Sequence, residues 1–190
     1  MNIKRICVYC GSSKGASPEY FDAATRLGKL LAARDIELIY GGASIGIMGC
    51  LADTVLEHGG KVTGIIPEHL SSKVAHSSLT EIRVVNSMHT RKAMMIDTAD
   101  AMIALPGGLG TFEEILEAVT WRQLGLHIKP CGLLNVKGYY NGLLEFLDNA
   151  VNEHFVKPEH RAIFQVSDNP ETLLEMLKNF KMSNVEKWLD

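Results

Sequence analysis

Short runs rich in Val, Ile, Leu and Tyr alternate along this chain with amphipathic stretches of helical length, and that alternation leaves few folds open. The runs fall at residues 3–9, 36–40, 62–66, 82–85, 101–105, 131–135 and 163–166. Helix-length stretches lie near 18–34, 47–58, 88–98, 111–125, 139–153 and 170–180. When a helix separates consecutive strands, it carries the chain back to the starting edge, so the strands run parallel. Several strands are apolar almost throughout, as a sheet covered on both faces requires. The expected fold is therefore α/β, a Rossmann-like doubly wound parallel sheet with helices on both faces. Its 190 residues suit a single domain spanning 1–190.

Composition removes several function classes. A chain that is 46% hydrophobic and 22% charged is globular. Its net charge of -3, with no basic block, gives no footprint for nucleic acid. The apolar runs are too short to cross a bilayer, so no membrane partner is expected. The opening MNIKR is followed by ICVYC, which reads as a first strand and not as the apolar core of a leader. The expected location is cytoplasmic. Cys7 and Cys10 form a C-x-x-C, but three residues apart on a strand they point to opposite faces. Cys50 and Cys131 stand alone, and the seven histidines show no metal-binding spacing. The cysteines read as buried thiols, and no metal is expected.

Three of the strands end in loops of small residues: Cys10-Gly11-Ser12-Ser13, Gly41-Gly42-Ala43-Ser44-Ile45-Gly46, and Pro106-Gly107-Gly108-Leu109-Gly110-Thr111. In a parallel sheet all three emerge on the carboxyl edge, where ligands bind near the point of strand reversal. Glycine lets an anion approach the backbone, and the helix that follows offers free N–H groups. Two polyphosphate cradles are excluded. Gly41 to Gly46 has Walker A spacing but continues Ile47-Met48, with no lysine or hydroxyl for a β- or γ-phosphate or magnesium. The first loop has only Gly11, and the second strand ends Ile39-Tyr40-Gly41 without an acid, so a nicotinamide dinucleotide is disfavoured. A single phosphate group, as in a nucleoside monophosphate, fits better.

The carboxylates after the third loop have two readings. Thr111-Phe112-Glu113-Glu114 matches a capping box, with Thr111 as N-cap and Glu114 at the third helical position. On the helical wheel Phe112, Ile115, Leu116, Val119 and Gln123 form an inward stripe, whereas Glu114, Ala118 and Trp121 fall on the other side. Trp121 there implies a partner chain or a ligand, and Glu114 beside a glycine loop is placed for chemistry as well as for capping. Arg91 and Lys92 read either as a solvated pair on a helix surface or, for the arginine, as a bidentate holder of phosphate or carboxylate. Met88, Met94 and Met95 read as core or interface filler, and Met48 and Gly49 as packing for the helix start.

With these residues in view, SMHTRKAMM and the following DTADAMIALPGGLGTFEEILEAVTWRQLGLHIKPCGLLNVKGYYNGLL closely resemble the LOG ("Lonely guy") family of cytokinin riboside 5′-monophosphate phosphoribohydrolases. Every fixed position of that family's P-G-G-x-G-T-x-x-E motif is matched, from Pro106 to Glu114, as are its Arg-Lys pair and its two earlier glycine loops. The resemblance covers the chain to about residue 150. It implies hydrolysis of the N-glycosidic bond of an adenosine monophosphate, often N6-prenylated, with no cofactor; the alternatives are the same reaction on AMP or other nucleoside monophosphates more broadly, and a protein of this fold that binds a nucleotide or cofactor without catalysis. Arg91 and Glu114 are the implied catalytic pair, and Gly107, Gly108, Leu109, Gly110 and Thr111 the implied phosphate loop. Gly11, Ser12 and Thr120 match further binding positions. Gly41, Gly42, Gly46, Met88, Lys92 and Pro106 complete the expected substrate contacts. Lys73 stands where plant members carry a substrate-contacting glutamate, a departure that bears on the prenyl group more than on the ribose phosphate. Glu113 is taken as structural. Lysine decarboxylation would need a pyridoxal phosphate lysine in context, and none is found. Members usually form homodimers, which agrees with Trp121 facing outward.

Overall fold

The computed structural model describes residues 2–181. Among these, seven strands form one parallel sheet: β1 (Arg5–Tyr9), β2 (Glu37–Tyr40), β3 (Val62–Pro67), β4 (Glu81–Val85), β5 (Ala101–Ala104), β6 (Cys131–Leu134) and β7 (Phe164–Ser167). The spatial order is β4-β3-β2-β1-β5-β6-β7, so the chain builds outward from β1, returns to β5 and builds outward on the other side. The reversal falls between β1 and β5, which pair Ile6 with Ala101 through Tyr9 with Ala104. A crevice is thereby set at their carboxyl ends. All seven expected strands form, each within two residues of its expected bounds.

Alternation along β1 distributes the core. Ile6 and Val8 point to one face and pack with Leu38, Tyr40, Leu27 and Leu51. Cys7 and Tyr9 point to the other and pack with Met102, Ala104, Met95 and Ile115. Cys7 and Cys10 fall in these two different clusters, so the C-x-x-C is split by the sheet. Burial pushes the Cys7 and Cys10 thiols well above their ordinary range, and Cys131 up to about 12.

The helices on the first face are α1 (Glu19–Ala33), α2 (Gly46–Glu57) and α8 (Pro170–Asn179). Gly28 lets α1 and α2 approach closely, since a methyl there would sit 2.9 Å from the Thr54 side chain. On the second face lie α4 (Met88–Thr98), α5 (Leu109–Gln123) and α6 (Asn141–Asn152). Two short helices, α3 (Glu68–Val74) and α7 (Pro158–Arg161), were not expected from the sequence. α3 buries none of its residues and therefore has no apolar stripe to reveal it. α7 is a single turn begun by Pro158.

Candidate active site

The three glycine loops meet over β1 and β5. The Gly11 N–H donates to the Pro106 carbonyl at 3.1 Å, and the Met48 N–H donates to the Gly11 carbonyl at 3.3 Å. Gly46, with φ at +60°, lies against Ser12, where a Cβ would stand 2.3 Å from the Ser12 carbonyl carbon. Gly107 lies against Gly11 and Thr111 just as closely, with 2.1 Å left to the Thr111 hydroxyl. These glycines are needed because backbone packs directly on backbone. A cavity of about 310 Å³ opens beside them, its lining including Ser12, Ser13, Gly107, Gly108, Tyr20 and Tyr139.

Two helices begin at this cluster without a side-chain cap, although in α2 the Met48 N–H is already taken by the Gly11 carbonyl. α2 follows Ile45 and α5 follows Gly108, each without a side-chain cap and without an acid in the first turn. α4, which starts on the same edge of the sheet, is capped by Ser87 accepting from the Thr90 N–H at 3.1 Å. An open helix start carries several unpaired N–H groups and the positive end of the dipole. Two of them beside one cavity suit an anion.

The capping box does not form. α5 starts two residues earlier than expected, at Leu109, and its first internal bond runs from Phe112 N–H to Gly108 O at 3.1 Å. Thr111 is drawn inside the helix because its side chain must pack on Gly107. Glu114 consequently lies in the second turn, beyond reach of any orphan N–H at the helix start. The expected wheel also needs correction. The fully inward positions are Thr111, Ile115, Ala118, Val119 and Arg122, with Ala118 completely buried. Phe112, Leu116 and Gln123 are only half-buried. α5 is covered on two sides: Ile115, Ala118 and Val119 pack into the core cluster at the sheet, and on the side of α4 the carboxylates Glu113, Glu114 and Glu117 meet basic partners. Trp121 is half-buried against the same core cluster rather than wholly outward.

Those partners are Arg91 and Lys92. Both are buried, which rejects the solvated-pair reading. Arg91 Nη1 donates to Glu114 Oε1 at 2.6 Å, with 10% and 11% of the two side chains exposed, and Arg91 Nε donates to the Ile65 carbonyl at 3.1 Å. Gly41 makes room for the guanidinium: a Cβ there would lie 2.2 Å from Arg91 Nη2. Burial pushes the Glu114 carboxyl above its ordinary value of 4.5, and the Arg91 charge pulls it only partly back. Lys92 Nζ is held by Glu113 and, at 3.2 Å, by Glu117, so its amine ties α4 to α5 and is not turned toward the glycine loops.

The remaining expected contacts sit as follows. Met88 is the first residue of α4 and partly exposed, and Leu109 is 86% exposed at the start of α5. Gly42 takes φ +78° and its carbonyl accepts from the His76 N–H. Gly108 and Gly110 are exposed, and Pro106 is buried beneath them. Thr120 is exposed three turns along α5, its hydroxyl donating to Leu116 O at 2.7 Å, so this chain alone does not bring it to the loops. Lys73 is exposed on α3. Tyr139 and Tyr140, whose hydroxyls donate to Gly107 O and Leu105 O, were missed. The repeated tyrosine of GYYN was the available signal, but nothing in a string of residues says which carbonyls it will reach.

Known proteins resemble the chain along most of its length. Residues 48–177 match the family model described as "Possible lysine decarboxylase". A cytokinin riboside 5′-monophosphate phosphoribohydrolase of Arabidopsis thaliana is 50% identical over 180 residues, covering 94% of this chain and 82% of the relative. Another from the same plant is 47% identical over 191 residues, covering 97% and 90%. A probable enzyme of the same name from Oryza sativa subsp. japonica is 50% identical over 178 residues, covering 93% and 71%. Among solved structures, the molybdenum cofactor carrier protein of Chlamydomonas reinhardtii superposes with a TM-score of 0.72 at 20% identity, covering 93% of this chain and 97% of that one. The molybdenum cofactor binding protein of Rippkaea orientalis gives 0.70 at 24% identity, with 94% and 97% covered. At such identities the structural likeness concerns the fold alone.

Proposed function

The chain belongs to the family of cytokinin riboside 5′-monophosphate phosphoribohydrolases, and from that membership we propose how its own residues carry out the reaction. The activity is hydrolysis of the N-glycosidic bond of an N6-prenylated adenosine 5′-monophosphate, giving the free base and ribose 5-phosphate. The observation that carries the assignment of roles is the buried Arg91–Glu114 pair beside the open start of α5.

The 5′-phosphate takes the place of the missing caps at α2 and α5, against Gly11, Ser12 and Gly107 to Thr111. As the bond from C1′ to the base nitrogen lengthens, positive charge builds on the sugar. Glu114, ionised and desolvated, stabilises that charge far better than a carboxylate in water. The same carboxylate orients the attacking water. The water oxygen bonds to C1′, the glycosidic electron pair leaves with the base, and the proton lost by water is balanced by one taken up at the base. Arg91 keeps Glu114 aimed and ionised. A protein that only binds a nucleotide gains nothing from a carboxylate near the phosphate, where it repels the ligand.

The reading includes a homodimer in the cytoplasm. Leu124, Leu126 and Ile128, 43%, 66% and 63% exposed just beyond α5, support burial against a second copy. No described helix is long and apolar enough to cross a membrane. Incubation with AMP and with N6-isopentenyl-AMP, followed by chromatography of the bases, tests the proposal. Base should be released by the parent protein and not by Glu114→Gln, and the rate ratio between the two nucleotides reports how far the prenyl group is read. No release by folded parent protein would overturn it.

A further inference from the structure

The third glycine loop contains a Gly107–Gly108 peptide, and two adjacent glycines place little steric restraint on which way such a peptide faces. Turned one way it presents an N–H to an anion; turned by half a rotation it presents a carbonyl oxygen, which repels one. An anion cradle therefore needs something that fixes this plane.

Three consecutive carbonyls of the loop are each held by a hydrogen bond. Leu105 O accepts from the Tyr140 hydroxyl at 2.6 Å, Pro106 O from the Gly11 N–H at 3.1 Å, and Gly107 O from the Tyr139 hydroxyl. Among the described residues the Gly107 and Gly108 N–H groups have no acceptor. In a planar trans peptide the carbonyl and the following N–H point in opposite directions. The bond from Tyr139 to Gly107 O thus turns the Gly108 N–H away from the phenol and leaves it for a ligand. It also removes the Gly107 oxygen as a repulsive neighbour.

The phenol is itself fixed. Its ring stacks on Phe112 with centroids 6.3 Å apart and meets Tyr20 and Tyr140 edge-on at 5.8 and 5.1 Å. The turn that delivers it has Lys137 and Gly138 at φ 55° and 70°, closed by the Tyr139 N–H on Val136 O and by Asn135 Oδ1 accepting from the Tyr140 N–H at 2.7 Å. Neighbouring Tyr140 differs in one respect: the peptide after Leu105 leads into Pro106, which has no N–H to aim.

We propose that Tyr139 is a positioning residue of the phosphate cradle, its hydroxyl latching the Gly107–Gly108 peptide with the N–H toward the ligand. The proposal rests on the reading that this loop receives the 5′-phosphate. Tyr139→Phe keeps the ring and removes the latch, and isothermal titration with ribose 5-phosphate and with N6-isopentenyladenosine tests it. The variant should bind ribose 5-phosphate about tenfold more weakly, the scale of one charge-assisted hydrogen bond. Its affinity for the phosphate-free nucleoside should stay within about twofold of the parent. KM for N6-isopentenyl-AMP should rise in step while kcat moves little, as expected when uniform binding is lost. Tyr140→Phe should lower the melting temperature without this selectivity for the phosphate. Parent protein that binds ribose 5-phosphate, with Tyr139→Phe equal to it or weakened equally for both ligands, overturns the latch alone. Parent protein with no affinity for ribose 5-phosphate overturns the cradle and the latch together.

Discussion

Gly41→Ala tests the placement of the catalytic pair without altering either member. Gly41 is not in the left-handed region, so its backbone accepts an alanine. The added methyl, however, would stand 2.2 Å from Arg91 Nη2 and 2.6 Å from Met48 Cε. The methionine tip can swing away at little cost. The guanidinium cannot, because Glu114 holds it at 2.6 Å and the Ile65 carbonyl at 3.1 Å. Ordinary contact with a methyl begins near 3.4 Å, so Nη2 must retreat by about 1.2 Å. Misplacing a positioned group by roughly 1 Å can cost about 100-fold in rate, equivalent to about 2.7 kcal/mol of transition-state stabilisation. Overpacking at one methyl costs about 1–3 kcal/mol of stability, which leaves a domain of this size folded. Base release from N6-isopentenyl-AMP should therefore fall by about two orders of magnitude in kcat/KM while the far-ultraviolet spectrum is retained. A variant within about threefold of the parent would show either that the guanidinium sits elsewhere during turnover or that its position does not govern the rate.

Glu114→Gln and Arg91→Ala should each lower kcat by about 100-fold or more, and the double variant should be little worse than either, because two groups acting as one unit are not additive; additive losses would separate their roles. The acid limb of kcat/KM should lie above pH 4.5, since the raised Glu114 carboxyl must be ionised to act and takes up its proton sooner as pH falls. A limb at or below 4.5 in folded protein would contradict that. His127, with Nδ1 accepting from the Lys129 N–H and Nε2 against Ala118 O, is held neutral, and burial lowers its pKa from 6.5 to about 4. The unfolded chain binds the proton first, so thermal stability should decline as pH falls from 6.5 to 4, and His127→Asn should flatten that decline. Light scattering at micromolar concentration should give twice the chain mass of 20.9 kDa, and a monomer would refute the dimer.

The sheet was legible because its signal is periodic and local: apolar runs and glycine punctuation mark β1 to β7 without reference to anything distant. The Arg91–Glu114 pair became visible through the resemblance, since each residue alone had a bland reading, one as a solvated cation and the other as a cap. What decided between those readings was not in either segment. Thr111 could have served as N-cap, and its neighbours obeyed the rule for a capping box. It failed because Gly107, four residues earlier, is pressed against Gly11 from the first loop, and Thr111 fills the space beside them. The helix start is therefore set by contact between loops about a hundred residues apart in sequence. The same contact leaves the first turn of α5 without a cap and carries Glu114 one turn inward, to where Arg91 meets it. An anion site and a buried carboxylate are thus two consequences of one packing event, and a local rule, correctly applied, describes the helix that would have formed had the glycine loops stayed apart.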